Sequence, residues 1–198
     1  MQTLPQLQAH VGAALNIGAS PLQLRETIYQ CAPYIGFPKT LNAIDIANGV
    51  FEANGISLPL ENAGTVDATD PSAREQAGAA IQAPLYGNEV KEVFSALPKP
   101  FDEFVPHLLT SSAFGDFATR GGLDVAQREL ISLVAIAAIG ATTQLRPHVA
   151  GAIRAGSSRQ KVAAALVHVM PYIGGPYALS GLVLVARYDE SASAEAYR

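Results

Sequence analysis

The sequence predicts an all-α protein built from two copies of one helical unit, the first of which lacks its leading helix. Apolar residues recur with helical spacing, and helix caps rather than hairpin turns bound the apolar runs. Residues 7–41 also align without a gap onto residues 145–179, at a constant offset of 138 and with 12 identities in 35 positions. Identity of this density without gaps indicates duplication of one unit.

Each copy contains the same helix signals in the same order. Ser20, Pro21 and Gln23 have the spacing of an N-cap, a first-turn proline and a capping-box partner. Gly18 and Gly156 stand where the preceding helices should end. The pattern predicts helices over residues 6–17, 21–32 and 38–53, repeated over 143–155, 159–170 and 176–188.

The segment between the copies is rich in Gly, Asn, Pro, Asp, Thr and Ser from residue 55 to 72, which predicts a linker. Further helices are expected over 72–82, 88–96 and 101–118. A long helix over 124–139, capped by Asp124 and Gln127, is apolar nearly all round and should lie in the middle of a bundle or at a subunit interface. The predicted domain organisation is a partial first repeat over 1–54, the linker over 55–72, a complete second domain over 73–190, and a tail over 191–198.

Composition limits the class of protein. Hydrophobic residues make up 49% of the chain and charged residues 15%, which favours surfaces buried between copies of the chain. The net charge of −4 and the lack of a basic cluster disfavour nucleic acid as a partner. The longest apolar stretch, from Leu130 to Ala141, is shorter than the roughly 20 residues that cross a bilayer. With one cysteine and no visible signal peptide, we expect a cytoplasmic protein that is not bound to a membrane.

Glu129 and His148 are the candidate catalytic pair. Glu129 is the one acid on the long apolar helix, and acids are rarely buried unless they are paired. His148 follows 19 residues later at the start of the next helix, so an antiparallel helix pair would bring the two side chains within hydrogen-bond reach, directly or through a water. Such a pair can pass a proton. The alternative is a glutamate favoured by the helix dipole and a histidine that caps a neighbouring helix.

Other polar residues carry weaker signals. By itself His168 is more typical of a core histidine than of a site residue, and Tyr172 can equally be a packing residue; a role for both in a pocket is implied only by the family resemblance that follows. Arg120 can bind a carboxylate, although solvated or ion-paired arginines are commoner. The four histidines lack metal-ligand spacing, so neither a metal nor any other cofactor is predicted.

The second copy resembles the carboxymuconolactone decarboxylase family. The resemblance is carried by an R-x-G-L-D start, an R-E-L opening of the long helix, an L-x-x-H-x-x-x-A-x-x-x-G turn and a tyrosine-glycine-proline ending. It covers about residues 70–190 as a full domain and 1–54 as a partial one. It implies an all-α fold that assembles into trimers or hexamers; a trimer is favoured here, with a dimer as the alternative.

The resemblance extends to the alkylhydroperoxidase D group, whose site contains a Glu, a CxxC pair and a His. The matching positions in this chain are Glu129, Ala141, Gln144 and His148. Both thiol positions are therefore lost, which disfavours dithiol peroxidase chemistry. The proton-handling pair is kept, and His10, which matches His148, is expected to line a shared or vestigial first-repeat site.

The family implies a cofactor-free carboxy-lyase that acts on a small carboxylated lactone, which carries its own electron sink. His148 would be the acid, Glu129 would orient it or relay its proton, and Arg120 would bind the substrate's carboxylate. The same pair would also suit an enzyme that acts on another small acid. A non-catalytic binding or assembly module of the same fold is the remaining alternative.

The first copy lacks a counterpart of the long helix, so its apolar face needs a cover. Val11, Leu15 and Ile28 lie on that face. Each large apolar side chain contributes about 1.5–3 kcal/mol when buried. We expect the long helix of the second copy, or that of a neighbouring subunit, to cover the face. The alternative is that the chain is a shortened version of a longer protein.

Overall fold

A computed structural model describes residues 3–189, and all regular elements within that range are helical. The tail predicted over 191–198 lies outside the described residues. Ten α-helices and one π-helix follow one another along the described chain. They are α1 (Leu4–Asn16), α2 (Pro21–Ile35), α3 (Phe37–Ala53), α4 (Pro71–Tyr86), α5 (Glu89–Phe94), α6 (Phe101–Leu108), the π-helix (Leu109–Ala118), α7 (Val125–Ala138), α8 (Thr142–Arg154), α9 (Arg159–Ile173) and α10 (Gly175–Ala186).

The capping signals confirm where two of the predicted helices begin. The Ser20 hydroxyl accepts a hydrogen bond from the Gln23 backbone N–H at 3.1 Å, and the Gln23 side chain accepts one from the Ser20 N–H. Asp124 and Gln127 form the same reciprocal pair at the start of α7. These bonds satisfy backbone donors that a helix start leaves unpaired, so α2 and α7 begin where the sequence predicts.

The helix predicted over 101–118 is divided into α6 and the π-helix. A wider backbone turn closes the segment, since the Thr119 N–H bonds to the Phe114 carbonyl five residues earlier. This segment packs directly against the backbone of α4. A Cβ added to Gly78 or Gly115 would overlap the facing main chain, so these two glycines permit the close approach.

Helix α7 lies at the centre of the protein. Its Leu133 and Ile136 are almost fully buried and pack with apolar residues of α8, α9 and α10. The opposite side of α7 meets α2, where Gln30 Nε2 donates to the Ser132 hydroxyl at 3.1 Å. The long apolar helix that the sequence predicts is therefore a core element. No helix among residues 3–189 is long and apolar enough to cross a membrane.

The apolar face of the first unit is covered differently from our expectation. Val11 and Ile28 are buried and Leu15 is half-buried, but they form a cluster of their own with α3. Its partly buried members include Ile56, Leu58 and Leu60 from the segment that the sequence indicates as a linker. The expectation that α7 covers this face is wrong, because α7 meets the more polar side of α2 and residues 56–60 fold back over the apolar side.

Helices α9 and α10 expose several large apolar side chains, which leads to a prediction about assembly. Five of them are each about half exposed: Val167, Tyr172, Tyr177, Leu179 and Val183. Exposed apolar side chains that lie together mark surfaces for protein–protein contact. We expect a homo-oligomer, with a trimer favoured over a dimer, to be observed by static light scattering at micromolar concentration. Leu179→Glu should reduce the mass to that of the monomer, and a monomeric wild-type protein would contradict the prediction.

Candidate active site

Glu129 and His148 meet across the α7–α8 pair. Glu129 lies on α7 and is only 2% exposed. His148 lies on α8, and its Nδ1 atom is 3.5 Å from Glu129 Oε2. The antiparallel arrangement of the two helices explains why residues 19 positions apart come together. The prediction that the two side chains approach each other is confirmed, whereas their catalytic role remains a hypothesis.

A third residue, Tyr86, joins this pair. The Tyr86 hydroxyl donates a short hydrogen bond to Glu129 Oε2 and lies 2.8 Å from His148 Nδ1. Since the phenolic proton points to the carboxylate, the remaining bond is donated by His148 Nδ1–H to the phenolic oxygen. The imidazole Nε2 is then the nitrogen left for a ligand. The three side chains form one chain of hydrogen bonds, Glu129–Tyr86–His148, which we call the relay.

The environment of the relay keeps its tyrosine protonated. Burial raises the pKa of Tyr86 well above its usual value, and the negative charge of Glu129 raises that pKa further. Burial, together with the charge of Glu129, also raises the pKa of the neighbouring Tyr34. Both phenols are therefore neutral at physiological pH. A neutral phenol can donate one proton and accept another, so Tyr86 is suited to link an acid and a base.

Aromatic rings and one glycine shape the site. The Tyr34 ring meets the His148 ring edge-to-face at 5.6 Å, and the Phe114 ring meets that of Tyr86 at 5.7 Å. A Cβ on Gly151 would lie 2.5 Å from the Tyr86 hydroxyl and 3.0 Å from Glu129 Oε2. A side chain at position 151 would therefore displace the relay, and glycine there lets α8 approach it closely.

Sequence reasoning missed Tyr86. It is the last residue of α4 and precedes Glu129 by 43 positions, in a segment that has no counterpart in the first copy. The sequence predicts that this helix ends at residue 82, whereas α4 continues through Pro84 to Tyr86. No local pattern marks this tyrosine, because its partners lie on two later helices.

The predicted pocket residues His168 and Tyr172 lie beside His10 instead of in the relay. The Tyr172 ring meets the His10 ring edge-to-face at 5.1 Å, and the His168 ring lies 6.4 Å from that of Tyr172. All three side chains are exposed. The ring that faces His148 is Tyr34, which aligns with Tyr172 at the offset of 138. The aligned segments thus exchange tyrosines: each tyrosine packs on the histidine of the other segment.

The predicted carboxylate ligand Arg120 already has a carboxylate partner. Its Nε and Nη2 atoms bind the two oxygens of Glu26 at 2.8 and 2.9 Å. Arg25 and Arg128 also bind Glu26, which is fully buried. We call these four side chains the arginine cluster. Arg120 therefore contributes to a buried ion network and is not in contact with the relay.

Two clefts open on the arginine-cluster side of the protein, with volumes of about 570 and 610 Å³. Both are lined by Tyr29, Ile44 and Arg120, and neither is lined by a relay residue. His148 nevertheless reaches the surface, since 14% of its side chain is exposed. Access to the relay is therefore through the exposed edge of the imidazole rather than through either cleft.

The chain's one cysteine, Cys31, does not resemble a reactive thiol. Burial raises its pKa to about 11, so the thiolate form is scarce at neutral pH. The segment between Glu129 and His148 contains no cysteine, and Ala141 and Gln144 stand at the two positions that the resemblance to the dithiol group indicates. Thiol exchange requires an attacking and a resolving thiol, so these features do not fit that chemistry at this site.

The chain is similar in sequence to known proteins. The model of the carboxymuconolactone decarboxylase family matches residues 1–49 and 105–187, more than half of the chain. Nitrosuccinic acid decarboxylase from Metarhizium robertsii is 28% identical over 110 residues, a stretch that covers 56% of this chain and 77% of that protein. The match to the family has two parts, each of which includes one of the two aligned segments, and the second part contains both Glu129 and His148.

Proposed function

The chain belongs to the carboxymuconolactone decarboxylase family, and we propose that it is a cofactor-free carboxy-lyase that uses the relay to transfer protons. The observation that carries this proposal is the hydrogen-bonded chain from Glu129 through Tyr86 to Nδ1 of His148. Because Nδ1 is used in this chain of hydrogen bonds, the Nε2 atom of the partly exposed imidazole is left to contact the substrate. The relative from Metarhizium robertsii is named a decarboxylase, which supports the reaction class.

The proposed substrate is a small acid that carries its own electron sink. In a carboxylated lactone the sink is the lactone carbonyl, and in nitrosuccinic acid it is the nitro group. When the C–C bond to the departing carboxylate breaks, its electron pair delocalises into the sink and carbon dioxide leaves. The protein then needs to supply a proton and to stabilise charge, both of which side chains provide.

Each member of the relay has one task in this mechanism. The imidazolium of His148 donates its Nε2 proton to the carbon that has lost carbon dioxide. The neutral imidazole that remains keeps its Nδ1–H bonded to Tyr86. Glu129 stabilises the imidazolium through the Tyr86 hydroxyl, and solvent restores the Nε2 proton before the next turnover. Positioned proton transfer of this kind contributes about 10²–10⁴-fold to a rate.

A non-catalytic module that binds a small acid is the second candidate, and one observation favours it. Glu129 and Tyr86 are only 2% and 4% exposed, and both described clefts lie elsewhere. A site so closed would suit a structural polar network. The two functions differ in turnover, which can be measured directly.

The test is release of carbon dioxide from a panel of dicarboxylic lactones and nitrosuccinate. We expect the wild-type protein to decarboxylate at least one compound and His148→Gln to be inactive on it. Arg146→Gln is the matched control, because Arg146 is an exposed residue on the same helix. Binding without turnover would favour the module, and equal turnover by wild type and His148→Gln would rule out the proposed acid.

A further inference from the structure

The arginine cluster carries more positive charge than its one acid neutralises. Three guanidinium groups, those of Arg25, Arg120 and Arg128, surround the Glu26 carboxylate, so the local charge is +2. The whole chain has a net charge of −4, which makes this concentration of positive charge unusual for the protein. The nearby Glu61 contributes its backbone carbonyl to Arg25, while its side chain is exposed.

Glu26 has no capacity left for further donors. Its Oε1 accepts from Arg25 Nη2 at 3.1 Å and from Arg120 Nη2 at 2.9 Å. Its Oε2 accepts from Arg120 Nε at 2.8 Å and from Arg128 Nη2 at 3.4 Å. Four bonds are what the two oxygens of a carboxylate accept. Any further donors of the cluster therefore need another acceptor.

Arg25 and Arg120 each keep such donors. Within residues 3–189, neither Nη1 atom makes a hydrogen bond or ion pair, and neither is buried. The Arg25 side chain is nine-tenths buried, and its Nε atom is buried without a hydrogen-bond partner. Both guanidinium groups lie over the ring of Tyr29, at 5.6 and 5.1 Å from its centroid. The ring thus holds the two cations side by side.

These donors border the cleft of about 610 Å³, which is within the size range of small-molecule sites. Asn48 and Asn62 add amide groups to its wall. The Asn62 carbonyl oxygen already accepts from the Gly64 N–H at 3.0 Å, which leaves the amide NH₂ to donate. The rest of the wall is apolar and includes Ile44 and Leu58.

We propose that this cleft is a second binding site, separate from the relay, for a small organic anion with a carboxylate and an apolar body. The carboxylate lies between the Nη1 atoms of Arg25 and Arg120, and the body packs against Tyr29 and the aliphatic wall. Charge-assisted bonds to two guanidinium groups supply affinity for the anion. The apolar wall selects an organic acid over inorganic phosphate, which has no apolar surface to bury.

The test is calorimetric titration of the full chain with benzoate, with benzamide as its neutral analogue and inorganic phosphate as the other anion. Benzoate should bind at least about tenfold more tightly than benzamide, because its carboxylate makes charge-assisted hydrogen bonds to the two guanidinium groups. It should also bind at least about tenfold more tightly than phosphate, because phosphate has no apolar body to bury against the wall. Equal affinity for benzamide would show an apolar pocket without an anion site. Equal affinity for phosphate would show a general anion site. Either result, or no benzoate binding, would overturn the proposal.

Variants locate the ligand. Asn48→Leu leaves the arginine cluster intact and should weaken benzoate about fivefold to tenfold. Asn42→Leu is its control, because Asn42 is an exposed residue of the same helix that does not line the cleft. Arg25→Gln should weaken binding about a hundredfold. If the two asparagine variants bind benzoate equally, the ligand does not occupy this cleft.

A further variant separates this site from the proposed reaction. His148→Gln should bind benzoate as the wild type does, because the cleft and the relay share no lining residue. Loss of benzoate binding in His148→Gln would place the ligand at the relay and overturn the second site. Failure of the decarboxylation assay would leave benzoate binding unaffected, so the two proposals fail independently.

Discussion

Tyr86→Phe should lower kcat for the proposed decarboxylation about a hundredfold, at the lower end of what positioned proton transfer contributes. The variant removes the hydroxyl that accepts from His148 Nδ1 and donates to Glu129, so the imidazolium loses its link to the carboxylate. The ring that remains keeps its packing against Phe114. Steady-state kinetics should therefore show a fall in kcat with little change in KM.

Controls distinguish loss of the relay from loss of structure. Tyr177→Phe, at a half-exposed tyrosine of α10, should leave kcat unchanged. Glu129→Gln should lower kcat about as much as Tyr86→Phe does. The double variant should lower kcat little more than either single variant, because the effects of groups that act as a unit are not additive. Wild-type kcat in Tyr86→Phe, or two losses that simply multiply, would contradict the relay.

Most of the fold could be predicted because its signals are local. A capping box such as Ser20 with Gln23, or Asp124 with Gln127, depends on residues three positions apart. The apolar character of α7 is likewise visible in one segment, and it correctly indicates a central helix. The sequence does not predict the π-helix. Its wider turn occurs where Gly115 packs against the backbone of α4, and this contact between distant segments is not visible in local residue spacing.

The site could be predicted only in part, because its partners come from distant segments. Glu129 and His148 lie on consecutive helices, so spacing alone suggests that they meet. Tyr86 comes from a segment with no counterpart in the first copy, and its position depends on how α4 docks. Tyr34 and Tyr172 are equivalent in sequence, so nothing local indicates which of them faces His148.

Two neighbouring residues of α7 serve the two networks of the protein. Successive helical residues point about 100° apart. Glu129 faces Tyr86 and α8, while Arg128 faces α2 and binds Glu26, Gln30 and the carbonyl of Arg120. The relay thus lies beside a buried ion network on the same helix, and that network joins α2 to α7 through ion pairs and polar hydrogen bonds.

The stability of that network depends on Glu26. Burial alone would raise its pKa, but hydrogen bonds and charge from Arg120, together with Arg25 and Arg128, hold the pKa below its usual value. A carboxylate with a lowered pKa in the folded state adds stability above its unfolded pKa of about 4.3. That stability is lost as the pH falls from the unfolded pKa through the folded pKa, because over this range the unfolded chain binds the proton more readily than the folded protein does.

Glu26→Gln should lower the free energy of unfolding by about 3–5 kcal/mol at neutral pH, the cost of leaving buried charges without their partner. Three guanidinium groups would then repel one another around a neutral amide. Urea denaturation measures the loss, and Glu52→Gln, at an exposed glutamate of α3, should change stability by less than about 0.5 kcal/mol. The difference between wild type and Glu26→Gln should begin to shrink as the pH falls below about 4.3, because the unfolded wild-type chain then takes up a proton at Glu26 while the folded protein keeps the carboxylate ionised. The charge-dependent part of the difference should be lost once the pH is below the folded pKa. A loss of the same size at every pH would show that the carboxylate's charge does not stabilise the fold, and that the amide merely packs less well.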